Sequence, residues 1–173
     1  MAATGWGKPR LFAKKIDNGT WFEFPTPVDS STQLSTTKGD KSEAKIEGGE
    51  NEDVKYARNT YAVTFNIRAL EDRQMPIVAD DGVISDMYAF VLQPENPKAQ
   101  GFCFLKAAAS VEDTFTAADG GIWAYTFDAL KKEAKKKQIY WGVVTVTETE
   151  EGGISKIEMD PQDEAGEGDK FEI

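Results

Sequence analysis

The chain contains no histidine and one cysteine, Cys103. Without histidine, the Ser-His and Cys-His pairs of common hydrolases cannot be built, because the nucleophile lacks its usual base. One cysteine excludes an intrachain disulfide framework, and no Cys/His cluster has zinc-ligand spacing. No apolar run approaches the roughly 18 residues of a spanning helix. Neither a P-loop nor G-x-G-x-x-G is present. The opening "MAATGWGKPR" lacks the apolar core of a signal peptide, so synthesis and first use in a cytoplasm are expected. Basic residues are outnumbered: 20 Lys and Arg stand against 30 Asp and Glu, a formal charge of −10. Such a field repels DNA, RNA and anionic membranes, so neither a membrane partner nor tight nucleic-acid binding is expected. A surface past which DNA moves without sticking stays compatible with it.

What is present reads as β structure. The 173 residues, 40% hydrophobic and 11% aromatic, suit one globular domain with polar tails. Residues 11–16 and 20–24 flank "DNG", whose Asn18-Gly19 supplies the positive φ angles of a hairpin turn. "PTPVDSSTQ" reads as a loop, since proline cannot donate to a ladder. "NTYAVTFNIRAL" alternates cleanly, with Tyr61, Val63, Phe65 and Ile67 on one face. "MYAFVLQ", "GFCFLKAAASVEDTFT" and "IWAYTFDAL" are further strands, the last two joined by an "AADGG" turn. "IYWGVVTVTETE" is apolar on both faces at its start, which predicts a central strand. Pro76 can open a short helix, and "DALKKEAKKKQ" has the composition of another, or of a lysine-rich turn. Seven or eight strands with one or two short helices predict a mainly β domain, a β-sandwich or partly open barrel. Its expected core includes Tyr61, Phe65, Trp123, Tyr125 and Phe127.

No stretch carries a reaction. Cys103 lies between two Phe and reads as a small buried hydrophobe. With thirty acids, close carboxylate pairs arise without a glycosidase site. "DPQDEAGEGD" has the oxygens for Ca²⁺ but not the spacing of an EF-hand loop. The "NGT" at Asn18 matches a glycosylation sequon, but the turn explains it. "GWGKPR" joins an aromatic to only two cations, too few to hold nucleic acid against the net charge. No catalytic residue, metal or cofactor is expected.

Three polar appendages remain: an arm at 1–10, the stretch "KGDKSEAKIEGGENEDVKY" at 38–56, and an acidic tail at 150–173. By composition the tail is disordered, and its removal should leave the domain folded. Within 38–56 the pattern alternates, with Glu43, Lys45 and Glu47 opposite Ala44 and Ile46. Gly48-Gly49 then permits a reversal.

"PTPVDSSTQLSTTKGDKSEAKIEGGENEDVKYARNTYAVTFNIRA", with "GGIWAYTFDALKK" and "YWGVVTV", resembles the tail tube (major tail) proteins of tailed bacteriophages. The similarity spans about residues 21–146 and contains no catalytic motif. It implies a sandwich-like or barrel-like tube fold with a small helix. It also implies homohexameric rings stacked into the conduit for DNA ejection. The expected partners are further copies of the chain, other phage tail proteins and DNA in transit. The expected location is the virion tail, assembled in the bacterial cytoplasm. On this reading Trp6, Lys38, Ala44, Ile46, Val54 and Phe171 are candidate inter-subunit contacts. Glu43, Glu47, Glu50, Glu52 and Asp53 are candidates for an electronegative lumen. Two alternatives stand beside it. One is the inner tube of a bacterial contractile injection system. The other is a monomeric β-sandwich module for carbohydrate or protein, with Trp21 or Trp6 as its aromatic platform.

Overall fold

The structure, a computed structural model, describes residues 7–17, 19–132, 137–162 and 170–173. Among the described residues twelve strands form, more than the pattern alone indicates. They are β1 (Arg10–Lys15), β2 (Phe22–Glu23), β3 (Gln33–Thr37), β4 (Lys41–Lys45), β5 (Asn51–Tyr56) and β6 (Thr60–Arg68). Then come β7 (Val83–Gln93), β8 (Gln100–Thr116), β9 (Gly120–Ala129), β10 (Tyr140–Glu148), β11 (Ile154–Pro161) and β12 (Phe171–Glu172). All pairings are antiparallel.

The long strand β8 organises the domain. Its first part, Gln100–Cys103, pairs with β10; its second, Ala107–Thr116, pairs with β9. One branch runs β12-β11-β10-β8-β7-β1-β2, and the other leaves β8 through β9 and β6 to β3. The first branch curls until its ends approach: Lys14 Nζ on β1 donates to the Ile173 carbonyl at 3.0 Å. Arg10 on β1 meets Glu148 on β10 at 3.0 Å. No ladder joins the ends among the described residues, so the sheet stays open. The mainly β, sandwich-like architecture matches the sequence reading.

Strands β7 and β8 are buried on both faces over "YAFV" and "GFCFL", as their unbroken apolar runs require. Each face feeds a different core. One cluster, between the branches, contains Phe24, Phe65, Phe90, Phe104, Tyr125 and Phe127. The other, inside the curl, contains Phe12, Trp21, Val91, Cys103, Val144, Ile157 and Met159. Phe65, Tyr125 and Phe127 are fully buried as expected, whereas Tyr61 and Trp123 are half-buried at the margin of the first cluster.

Several expectations change. No α-helix forms among the described residues. Pro76 lies in a bend whose neighbour Ile77 enters the core, held by Tyr125. The Tyr125 hydroxyl donates to the Ile77 carbonyl at 2.9 Å and accepts its N–H at 3.2 Å. "DAL" continues β9: Ala129 pairs with Ala107, and Leu130 N–H donates to the Lys106 carbonyl at 2.9 Å. Residues 133–136 of that helix reading lie outside the described residues. The acidic tail is corrected over 154–161 and 171–172, while its residues 163–169 lie outside the described residues. Residues 154–161 form β11 along β10, and Ile157 and Met159 point into the second core. Composition failed here because alternate residues are charged and face solvent, while two apolar positions suffice to fix the strand. Cys103 is buried as expected, and burial pushes its thiol up to about 12.

An ion triad secures β12 to β11. Glu158 accepts from Lys156 Nζ and Lys170 Nζ, each at 2.8 Å. The two cations lower its carboxyl from 4.5 to about 2. A lowered folded-state value contributes stability above the ordinary carboxylate range, lost as pH falls from 4.5 toward 2. Carboxyl NMR should therefore place the Glu158 midpoint near 2, moving upward in Lys170→Met. A midpoint at the ordinary 4.5 would show the triad does not form in solution.

Candidate functional site

The stretch 38–56 forms a projecting hairpin. Among the described residues β4 and β5 pair only with each other and make a separate two-stranded sheet. Their register continues that of β3 and β6: Thr37 faces Thr60, and Lys41 then faces Tyr56 without a slip. The four strands thus make one ribbon, interrupted at 38–40 and 57–59. The interruption is itself bonded, Ala57 N–H to the Asp40 carbonyl at 2.8 Å and Gly39 N–H to Asn59 Oδ1 at 3.1 Å. Beyond Thr37, nine residues to Ile46 at about 3.3 Å each give an overhang of roughly 30 Å. At the tip the chain reverses over Gly48 and Gly49, with φ of 98° and 85°. Glycine is required there because other L-residues rarely adopt this region.

Every residue of β4 and β5 is exposed. A solitary two-stranded hairpin is marginal in water. Among the described residues its side-chain pairings are few, and those of Glu43 lie within β4. Glu43 is paired with Lys41 and, at 3.9 Å, with Lys45. Lys38 Nζ sits 5.0 Å from the centre of the Tyr56 ring.

The sequence-predicted residues separate into groups. Glu43 shares a face with Lys41, Val54 and Tyr56, as the register requires, and its charge is locally compensated. Asp53 faces Ala44 on the opposite side, and its carboxylate accepts the Val54 N–H at 2.8 Å. Glu47, Glu50 and Glu52 crowd the tip, where no lysine pairs with them among the described ion contacts. The hairpin is therefore most electronegative at its end. Ile46, Val54 and Tyr56 are exposed apolar groups on it, and Ala44 is exposed too. Phe171 is half-buried against the second core, its ring 5.4 Å from Tyr140. Trp6 lies outside the described residues. Trp21 is corrected as an aromatic platform, because it is buried in the second core beneath Lys14.

Sequence reasoning missed Trp141. The apolar run that contains it predicts a central strand, and β10 does lie between β8 and β11. Yet Trp141 is 43% exposed. Among the described residues no group of three or more His, Cys, Asp or Glu is arranged to hold a metal. No described helix is long and apolar enough to cross a membrane. No family model matches the chain, and no curated protein matches it.

Proposed function

We propose that this protein is a structural subunit of the tail-tube type, which assembles as stacked homo-oligomeric rings into a conduit for DNA. The observation that carries the reading is the hairpin of β4 and β5: a regular ribbon, exposed on both faces, reaching roughly 30 Å past its last supporting strand. In a lone subunit its order has little to sustain it. Against a neighbouring copy, Ile46, Val54 and Tyr56 become buried and the ribbon is stabilised. A head-to-tail contact repeated around an axis closes into a ring. Each subunit then contributes Glu47, Glu50 and Glu52, so charges that are minor singly become a ring of like charge. Facing the lumen, that ring repels phosphate within a screening distance of about 8 Å and denies DNA a deep local minimum.

Light scattering and negative-stain images of the purified chain test this. The full chain should form rings or tubes. A variant in which Gly-Gly replaces residues 41–56 should remain folded, because Asp40 and Ala57 are already bonded across the gap. It should run as a monomer. A full chain that stays monomeric at every concentration overturns the proposal.

A further inference from the structure

At the end of the first core, where the two branches of the sheet splay apart, lies an open cleft of about 670 Å³. Its floor is one cross-strand row. Leu92 on β7 faces Phe102 on β8, and Phe102 faces Trp141 on β10. Phe102 fixes the indole, with the two ring centres 5.1 Å apart at 54°. Trp141 is 43% exposed and lines the cleft. The walls are stiff. Pro9, Pro27 and Pro94 line them, and the chain entering at Lys8 is clipped by its N–H to Glu95 at 3.2 Å.

The rim is polar and is held at a cost. Asp29, Ser30, Thr32 and Gln100 line it. Ser30 has φ of 58°, a left-handed conformation that glycine adopts most cheaply. It occupies a turn closed by Ser31 N–H to the Val28 carbonyl at 3.1 Å. The Ser31 hydroxyl accepts the Asn66 N–H at 3.2 Å, which ties that turn to β6. The rim is thus preformed, and a hydroxyl stands where backbone geometry alone would favour glycine.

We propose that this cleft binds a neutral oligosaccharide. The indole face takes the C–H face of a pyranose ring, an apolar surface with polar edges like the indole itself. Ser30, Thr32, Asp29 and Gln100 supply hydrogen-bond donors and acceptors to the ring hydroxyls. A few such groups around an apolar platform are what orient a ligand. The charge of −10 disfavours an anionic ligand. An extended peptide fits less well, because three wall prolines offer no N–H to its carbonyls. Openness to solvent suits a chain of sugars rather than an enclosed apolar molecule. This inference is independent of ring assembly.

Isothermal titration and amide NMR with maltohexaose, cellohexaose, xylohexaose and chitohexaose test it, using both the full chain and the variant lacking 41–56. At least one sugar should bind saturably with a Kd of about 1 mM or tighter, in both proteins alike. Trp141→Ala should weaken it at least about tenfold. Since that change also removes packing on Phe102, Ser30→Gly serves as the second variant: it relieves φ strain, keeps the fold, and should still weaken binding severalfold. No saturable binding up to about 10 mM overturns the proposal. So does binding that both variants leave intact. Cleft amides that shift with protein concentration and not with sugar would assign the surface to a second copy, which also overturns it.

Discussion

A chain ending at residue 149 is expected to lose its cooperative fold. The truncation removes β11 and β12, and with them Ile157 and Met159, both at 0% exposure. Burial of such side chains contributes about 1.5–3 kcal/mol each. The loss does not stop there. Val144, Cys103 and Leu105 would lose their cover, and β10 would lose its ladder from Gly142 to Glu148. A domain's whole stability is about 5–15 kcal/mol, so the combined deficit is comparable with the total. Near-UV circular dichroism should collapse and a hydrophobic dye should bind, while much far-UV signal persists. A chain ending at Pro161 should behave differently. It loses the two-residue strand β12 and the contacts of Phe171 and Ile173, but keeps both buried residues of β11. It should unfold cooperatively at a lower midpoint. A wild-type midpoint for the chain ending at 149 would show that β11 does not cover the core.

The same segment shows what the sequence could reveal and what it could not. β6 was legible because Val63, Phe65 and Ile67 alternate with polar residues over nine positions. The hairpin of β4 and β5 was legible from its alternation and its Gly-Gly reversal. In β11 only Ile157 and Met159 are buried, between Lys156, Glu158 and Asp160, and the flanks are acidic. Averaged composition hides so short a signal. β3 carries one apolar residue, Leu34, and exists because β6 offers it a register from Thr60 to Thr64. Over residues 128–130 the helix reading of "DALKKEAKKKQ" gave way to strand for a related reason. Propensity favoured a helix, but Ala129 had a partner in Ala107, and a tertiary ladder outweighs a weak local preference. The partial exposure of Trp141 on a central strand was not legible, because an apolar run says that a strand is interior, not which part of each face is covered. The ribbon and its tip charges were thus accessible to sequence, whereas the cleft, assembled from strands and loops far apart in the chain, was not.

Phe65→Ala should destabilise the domain by about 3–5 kcal/mol, the range for deleting a buried aromatic side chain. Phe65 is fully buried, and four rings surround it. Their centres lie 4.9 Å away for Phe24, 5.7 Å for Tyr125, and 5.9 Å for both Phe90 and Phe127. Those residues come from the loop after β2 and from β7 and β9, so the cavity would be walled by three separate elements and could not collapse easily. Urea denaturation should show the midpoint falling with little change in slope. Phe115→Ala is the control: that ring is 78% exposed and its loss should change stability by no more than about 0.5 kcal/mol. The comparison also tests the register of β6. A slip of one residue would turn Thr64 and Asn66 inward and Phe65 outward. Phe65→Ala would then resemble Phe115→Ala, and the packing of β6 against β9 would be wrong. The proposed assembly would add a further sign. If rings bind only folded subunits, mass action should offset part of the loss, so the Phe65→Ala midpoint should rise with protein concentration where rings form. In the variant lacking 41–56 it should not.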